Sequence, residues 1–244
     1  MTRWYANLLT TGNLISGIIA ILMAFDGHLI TAGLLIFCAT IFDAFDGKVA
    51  RYFGSSSSFG LQYDSMADMI SFGVAPAMIV YAFAFRDLGV PGLLVTLVPI
   101  VAAAIRLARF NVDANDKAHD FIGLSSPLHA CLMAALVLMC VAIWDDAANS
   151  NVIAAIVIIS SLLMISHVPL AGLPRFTLRE QGINLVKLSA LFLCVVYFAL
   201  DPLRNAFPAI VVLIVAGFAA GIVNARRAAE EEELEDEEES VTIL

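Results

Sequence analysis

Four aspartates stand in the first third of the sequence at spacings that suit one shared site. Asp43 and Asp46 are three residues apart, and Asp64 and Asp68 are four apart. Residues at these separations lie on one face of a helix, so each pair predicts two carboxylates that point the same way. Carboxylates clustered without histidine or cysteine favour Mg²⁺, Mn²⁺ or Ca²⁺. Four of them suit two ions that clamp a phosphate while an oxygen nucleophile attacks.

Small and basic residues accompany the acids. Gly47 and Gly60 flank them and leave room for a ligand to approach the backbone, and Arg51 is suited to pair with a phosphate. A run of serines over 55–58 predicts a hydroxyl-rich connection between two helices. The alternative is that these glycines and serines only allow helices to pack closely.

The apolar character of the chain decides which elements position these acids. Of 244 residues, 61% are hydrophobic and 14% are charged, with a mean hydropathy of +0.90. A soluble domain is nearer half apolar and a quarter charged, and a bilayer-spanning helix needs about 20 apolar residues. The sequence therefore predicts an all-α, polytopic transmembrane helical bundle of about eight spans. The predicted spans are Leu8–Phe25, Leu29–Ala50, Phe59–Phe85, Gly92–Phe110, Leu128–Trp144, Val152–Val168, Leu185–Leu200 and Ala209–Val223.

The basic residues predict the orientation. In an eight-span arrangement both termini share one side, and all of the 13 lysines and arginines except Arg86 and Arg204 fall on it. Such a bias marks the cytoplasmic side, so both termini and the four aspartates are predicted to be cytoplasmic. An aspartate at the centre of a spanning helix costs about 3 kcal/mol, and near the interface it costs less. Four together would still repel unless a cation lies between them.

The net charge of −9 comes from the end of the chain and describes no site. Every residue of Glu230–Glu239 except Leu234 is acidic. Such a run predicts a transmembrane domain over 1–227 followed by a disordered, acidic cytoplasmic tail over 228–244. The four cysteines lie in apolar runs without the close spacing of a metal or redox motif. We expect this chain to interact with membrane lipid and not with nucleic acid.

One continuous pattern around the acids resembles a known family. The CDP-alcohol phosphatidyltransferases share the run Asp43-x2-Asp46-Gly47-x2-Ala50-Arg51-x8-Gly60-x3-Asp64-x3-Asp68, which this chain matches without a gap. The resemblance implies an enzyme that displaces CMP from a CDP-linked lipid or alcohol by a second alcohol. It also implies two divalent cations, Mg²⁺ or Mn²⁺, and is compatible with a homodimer.

The resemblance implies a role for each acid. Asp43 and Asp64 would bridge both ions and Asp46 would hold one of them. Asp68 would hold the other ion and accept the proton of the attacking hydroxyl, because a general base must lie beside the group it deprotonates. The residues that would contact the CDP-lipid are Asn7, Thr10, Gly47, Ala50, Arg51, Ser57 and Gly60.

Three further segments resemble the branch of this family that transfers to serine. They are Met69–Ala77, Arg106–Asn111 and Phe121–Pro127, the last with Ser125 where proline is usual. The resemblance implies that CDP-diacylglycerol and L-serine give phosphatidylserine and CMP. The carboxylate of serine needs a cation, which makes Arg106, Arg109 and Asn111 the candidate serine-binding residues.

Two alternatives stay open from the residues themselves. An acceptor phosphate, as in glycerol 3-phosphate or inositol phosphate, would need a similar pair of arginines, and the arginines could instead only anchor a helix at the interface. Acids within spanning segments are also a mark of cation-coupled transporters. A transporter predicts acids near the membrane centre and repeated halves, whereas here the acids lie at one end of their spans and no repeat is visible.

Overall fold

The computed structural model describes residues 3–52, 58–113, 123–144, 149–168, 197–198 and 200–242, and within them it is helical without any β-strand. The helices are α1 (Arg3–Phe25), α2 (Leu29–Tyr52), α3 (Ser58–Asp68), α4 (Ala75–Val80), α5 (Val90–Asp113), α6 (Ser126–Trp144), α7 (Ser150–Ile165) and α8 (Pro202–Thr242). Two π-helical segments, Met69–Val74 and Tyr81–Phe85, and a 3₁₀ turn, Arg86–Leu88, join α3, α4 and α5. The predicted all-α helical bundle is confirmed.

Six helices are long and apolar enough to cross a membrane. They cover Asn7–Phe25, Leu29–Val49, Phe59–Leu88, Val90–Val112, Ser126–Trp144 and Pro202–Val223, which correspond to six of the predicted spans. The predicted span Leu185–Leu200 falls largely outside the described residues. The count of eight spans and the cytoplasmic position of both termini therefore stay predictions.

The predicted span Val152–Val168 is shorter in the structure. Helix α7 ends at Ile165, and Ser166 is extended, with ψ 157°. Pro169 follows three residues later in the sequence, and it disfavours helical backbone in the residue before it, Val168. At 16 residues, α7 is shorter than the six spanning helices.

Helix α6 is the centre of the bundle. It packs against α2 on one side and α8 on the other, and every residue of 129–138 is buried. A helix that is apolar on all sides needs neighbours all round, which explains this central position. The outer helices instead expose large apolar side chains such as Leu8, Ile15 and Leu22, as expected for surfaces that face lipid.

A tight turn makes α1 and α2 an antiparallel pair. Gly27 has φ 82°, a left-handed conformation that glycine adopts without a steric cost. The backbone amides of Asp26, Gly27 and His28 donate to carbonyls of the last turn of α1, which closes that helix. The N-terminal half of α1 consequently runs beside the C-terminal half of α2.

The helix after Asp68 widens into a π turn. The amide of Ala75 donates to the carbonyl of Ile70, five residues back. Pro76 follows; it lacks an amide hydrogen and its ring disturbs an α-helical ladder, which suits a widened turn at this place. The turn lies against α1, where a Cβ atom on Gly17 would be only 2.4 Å from Ser71 Oγ. Glycine is therefore required there for α1 to approach so closely.

The chain before α6 is fixed to the end of α7. Gly123 has φ 73°, and its amide donates to the carbonyl of Val168, while Leu124 donates to Leu163. This contact brings the first residue of α6, Ser126, to the end of the bundle where α2 ends and α3 begins. We call this end, which carries the four aspartates, the acidic end.

Helix α8 continues through the acidic run to Thr242. Glutamate, alanine and leucine are good helix formers, which is consistent with a helical backbone there. The predicted boundary between a domain over 1–227 and a disordered tail over 228–244 stays a prediction.

Candidate active site: an aspartate cluster and a facing arginine

Three of the four predicted aspartates converge at the acidic end. Asp43 lies near the end of α2, and Asp64 and Asp68 lie on α3. Each is half-buried and offers a carboxylate oxygen, and these three oxygens all lie within 4.8 Å of one another. We call these residues the aspartate triad. Spacing within α3 and the antiparallel approach of α2 bring them together.

Asp46 lies beside the triad and is the most deeply buried of the four aspartates, with 5% of its surface exposed. Its Oδ2 accepts a hydrogen bond from Thr10 Oγ1 on α1 at 2.8 Å, and its carboxyl group is within hydrogen-bonding reach of Asp64. The structure thus brings all four predicted acids to one place, with Asp46 at the side of the cluster that faces α1.

The aspartate cluster forms no ion pair with a basic side chain among the described residues. The Lys48 side chain lies instead over the ring of Phe45. One oxygen of Asp64, Oδ1, is buried without a hydrogen-bond partner. Buried like charges repel strongly in a poorly polarisable environment, so the arrangement fits a cation that the aspartates would share. The donor set is all oxygen, which suits a hard divalent ion.

Helix α1 contacts α2 and α3 through a row of polar side chains, and two of these, Thr10 and Asn13, bind the acids. Besides Thr10, it contributes Thr11, whose hydroxyl is 2.9 Å from that of Tyr63 on α3, and Asn13. Asn13 is fully buried, and its Nδ2 donates to Asp68 Oδ1 at 3.0 Å. Sequence reasoning missed Asn13. The available signal was an amide residue within an apolar span, one helical turn beyond Thr10, because polar groups inside spanning helices are costly.

Four of the predicted CDP-lipid residues can be placed at the acidic end. Asn7 and Thr10 lie on α1, where the hydroxyl of Thr10 binds Asp46 and the backbone carbonyl of Asn7 accepts a hydrogen bond from Thr11. Gly47 and Gly60 are half-buried on α2 and α3, and a Cβ atom on Gly47 would meet no atom of the described residues within 4 Å. The space beside Gly47 is consistent with ligand approach.

The remaining predicted CDP-lipid contacts cannot be placed in the same way. Ala50 and Arg51 lie in the last turns of α2, and their side chains are outside the described part of the structure. Ser57 lies outside the described residues altogether. The roles predicted for these three residues stay predictions.

The predicted serine-binding residues lie at the acidic end of α5 but differ in their contacts. Arg109 Nη1 donates to the backbone carbonyl of Ile165 at 3.0 Å, which ties α5 to the end of α7. Asn111 Oδ1 accepts from Ser65 Oγ at 2.9 Å, which ties α5 to α3. Both contacts hold helices together, so Arg109 and Asn111 have a structural role that the sequence does not reveal.

Arg106 is the basic residue that faces the acids. Its guanidinium is half-buried, and Nη1 donates to the hydroxyl of Ser126 on α6 at 3.1 Å. Its Nε is buried and has no partner among the described residues. The charge of Arg106 is close enough to Asp68 for the two to attract, yet they form no ion pair. Ser126 was not predicted as a site residue, because its contact depends on how α6 starts.

Fold and site together define a polytopic helical membrane protein with a cluster of carboxylate oxygens, at one end of the bundle, that could hold a metal ion. Its sequence matches the model of the CDP-alcohol phosphatidyltransferase family over residues 3–174. The chain belongs to the CDP-alcohol phosphatidyltransferase family.

Curated relatives point to one branch of the family. The chain is 31% identical over 199 residues to a CDP-diacylglycerol–serine O-phosphatidyltransferase from Helicobacter pylori, covering 79% of this chain and 81% of that protein. It is 37% identical over 171 residues to the enzyme of the same name from Methanocaldococcus jannaschii, covering 70% and 75%. It is 36% identical over 165 residues to an archaetidylserine synthase from Methanothermobacter thermautotrophicus, covering 66% and 67%. These matches leave the transporter hypothesis without support.

Proposed function

We propose that this protein transfers the phosphatidyl group of CDP-diacylglycerol to the hydroxyl of L-serine, which gives phosphatidylserine and CMP. The observation that carries the proposal is the aspartate cluster, which forms no ion pair with a described lysine or arginine, together with the nearby Arg106, whose Nε has no partner among the described residues. Relatives with names that specify serine as the acceptor support the same reaction.

The four aspartates would hold two divalent cations, Mg²⁺ or Mn²⁺. Asp43, Asp64 and Asp68 supply the converging oxygens, and Asp46 lies beside them with Thr10 on one of its oxygens. When bound, the cations neutralise the charge that develops on the phosphates during transfer. Helices α2 and α3 supply the rigid placement that such a site needs, because each holds its acids on one face.

The reaction forms one bond and breaks another at the same phosphorus atom. The serine hydroxyl oxygen attacks the phosphorus that carries the diacylglycerol, and the bond from that phosphorus to the oxygen bridging the two phosphates breaks. The bridging oxygen leaves with CMP. Asp68 would accept the proton of the hydroxyl, and the attraction between its charge and that of Arg106 supports this assignment.

Arg106 would bind the carboxylate of serine. With Nη1 held by Ser126, the edge formed by Nε and Nη2 remains available, and this edge matches the two oxygens of a carboxylate. In serine only two carbon atoms separate the carboxylate carbon from the hydroxyl oxygen. A carboxylate on Arg106 would consequently place the hydroxyl toward Asp68. Arg109 and Asn111 are assigned to helix contacts rather than to serine.

The nucleotide part of CDP-diacylglycerol would lie along α1, α2 and the start of α3. The predicted contacts there are Asn7, Thr10, Gly47, Ala50, Arg51, Ser57 and Gly60, and the open space beside Gly47 supports an approach to that point. The acyl chains would lie in the bilayer, next to the apolar outer faces of the spans. The bias of basic residues supports a cytoplasmic acidic end.

The test is CMP release by the purified protein with CDP-diacylglycerol and Mn²⁺, with serine, glycerol 3-phosphate or inositol phosphate added in turn. We expect release with serine alone, its loss in a chelator, and its return when Mn²⁺ is restored. In Asp68→Asn, we expect Mn²⁺ still to bind while release falls sharply. Release with another acceptor instead of serine would overturn the acceptor assignment, and near-normal activity of Asp68→Asn would overturn the assignment of the base.

A further inference from the structure

Asn13 stands out as a polar residue in a place that folding alone does not favour. It is fully buried in the middle of α1, within a span of otherwise apolar character. Its Oδ1 is buried without a hydrogen-bond partner among the described residues. A buried polar atom without a partner costs free energy, and an apolar side chain of similar size would avoid that cost. The position therefore calls for a reason other than packing.

The bonded half of the Asn13 amide points to that reason. Nδ2 donates to Asp68 Oδ1 at 3.0 Å. The opposite orientation of the amide would place its oxygen against the carboxylate, two acceptors facing each other, so the hydrogen-bonding chemistry selects the donor orientation. A carboxylate with one oxygen held in this way cannot rotate freely, and its second oxygen is left for other partners.

The backbone of Asn13 is fixed as well. Its carbonyl accepts a hydrogen bond from Ser71 Oγ at 3.0 Å, and Ser71 belongs to the π segment that starts directly after Asp68. Gly17, one turn further along α1, allows the close contact with Ser71 that holds the two elements together. Asn13 consequently contacts both the carboxylate of Asp68 and the turn that follows it.

We propose that Asn13 is a positioning residue for Asp68. It fixes the plane of that carboxylate so that the remaining oxygen meets the shared cation and the hydroxyl of the acceptor in one orientation. Groups that orient metal-binding carboxylates from behind commonly govern metal affinity and turnover, although they touch neither metal nor substrate. This inference rests on the proposed function only for its effect on turnover, and it concerns the cation site directly.

The test compares Asn13→Ala and Asn13→Thr with Thr11→Val. Threonine has nearly the volume of asparagine, and its hydroxyl is too short to reach Asp68 and can bond to its own helix, as that of Thr11 does. Thr11→Val removes another hydrogen bond between α1 and α3, to Tyr63, which involves no acid. Mn²⁺ affinity is measured by electron paramagnetic resonance in detergent without substrates, and kcat is measured with serine at saturating Mn²⁺.

We expect both Asn13 variants to bind Mn²⁺ about 10- to 100-fold more weakly than the wild type and to lose kcat in the same direction, with melting temperatures near that of the wild type in chelator. Thr11→Val should retain Mn²⁺ affinity. The proposal is overturned if folded Asn13→Thr keeps its Mn²⁺ affinity and kcat, or if Thr11→Val loses as much. A wild type that binds Mn²⁺ but releases no CMP with serine would overturn the proposed function, while the Mn²⁺ measurement would still decide the role of Asn13.

Discussion

Two groups of opposite charge approach each other at the acidic end, the aspartates of α2 and α3 and Arg106 of α5, and the described residues form no ion pair there. Within the described part of the chain, Asp64 Oδ1 on α3 is buried without a partner, and so is Arg106 Nε on α5. At the far end of the bundle, by contrast, the exposed Asp201 and Arg204 pair with each other at 3.6 Å. Buried charges without partners are costly, so those at the acidic end indicate ligands that complete them. In the proposed function, the aspartates would bind a cation and Arg106 an anion.

The two groups also differ in how firmly they are held. The acids are short side chains on facing helices, and α1 binds two of them through Thr10 and Asn13. Arg106 reaches the same space with a long side chain that Ser126 steadies from α6. Short, cross-linked acids suit a metal site with strict geometry, whereas one flexible cation suits recognition of a small acceptor.

Removing the charge of one acid should have the largest effect of these substitutions on CMP release. Asp64→Asn keeps the shape of the side chain but removes a charge from the triad. Loss of several kcal/mol of metal-assisted charge stabilisation corresponds to a fall of about 10³-fold in CMP release with serine. Because the like charges repel without metal, the melting temperature in chelator should rise, and the further rise on adding Mn²⁺ should disappear.

The matched control for this substitution is Asp201→Asn, at the exposed far end. It should leave CMP release and the Mn²⁺-dependent shift in melting temperature unchanged, because an exposed ion pair contributes little. A wild-type response to Mn²⁺ in Asp64→Asn would contradict the assignment of Asp64 to the cation site.

Conservative changes at Arg106 and Arg109 should show which of the two arginines binds serine. Arg106→Lys removes the planar fork while keeping the charge, and loss of a charge-assisted hydrogen bond of about 1.5–3 kcal/mol should raise KM for serine about 10- to 100-fold. Arg109→Lys should change KM for serine far less and lower the melting temperature instead, because Arg109 ties α5 to Ile165. Equal effects of both changes on KM for serine would show that the two arginines share the acceptor.

A pair of glycine substitutions should have the smallest effect on catalysis. They test whether a glycine leaves room for the substrate, as predicted for Gly47, or allows close helix packing, as at Gly17. Gly47→Ala adds a methyl group where no atom lies within 4 Å, so stability should hold while KM for CDP-diacylglycerol rises about fivefold, which corresponds to about 1 kcal/mol. Gly17→Ala places its methyl group against Ser71 and should cost about 1–3 kcal/mol of stability. An unchanged KM in Gly47→Ala would remove Gly47 from the predicted lipid contacts.

Local spacing explains why much of the site could be predicted. Asp43 and Asp46 share a helix face, as do Asp64 and Asp68, and the short connection between their helices leaves an antiparallel pair as the simplest arrangement. The apolar runs predicted eight spans for the same local reason, and six of them correspond to helices of the structure that are long and apolar enough to cross a membrane. Helix periodicity and the thickness of a bilayer are properties that a sequence carries without knowledge of its neighbours.

The contacts of single polar side chains depended on packing between distant segments. In sequence, Arg106 and Arg109 look alike, yet one faces Asp68 and the other caps the end of α7. Asn13 looks like an isolated amide in an apolar run, and Ser126 like the start of a helix. Their partners lie 55 and 20 residues away along the chain, and only the approach of α3 to α1 and of α6 to α5 selects them.

The sequence by itself determined the class of protein, the four acids and their chemistry, because hydrophobic runs, helical spacing and the oxygen-donor set are all local. The tertiary structure alone decided which acids converge as the triad, that Asn13 holds Asp68, and that Arg106 rather than Arg109 faces the cluster. Those outcomes depend on the rotation and depth of each helix against its neighbours. Such rotation is set by close contacts like that of Gly17 with Ser71, which no pattern within one helix specifies.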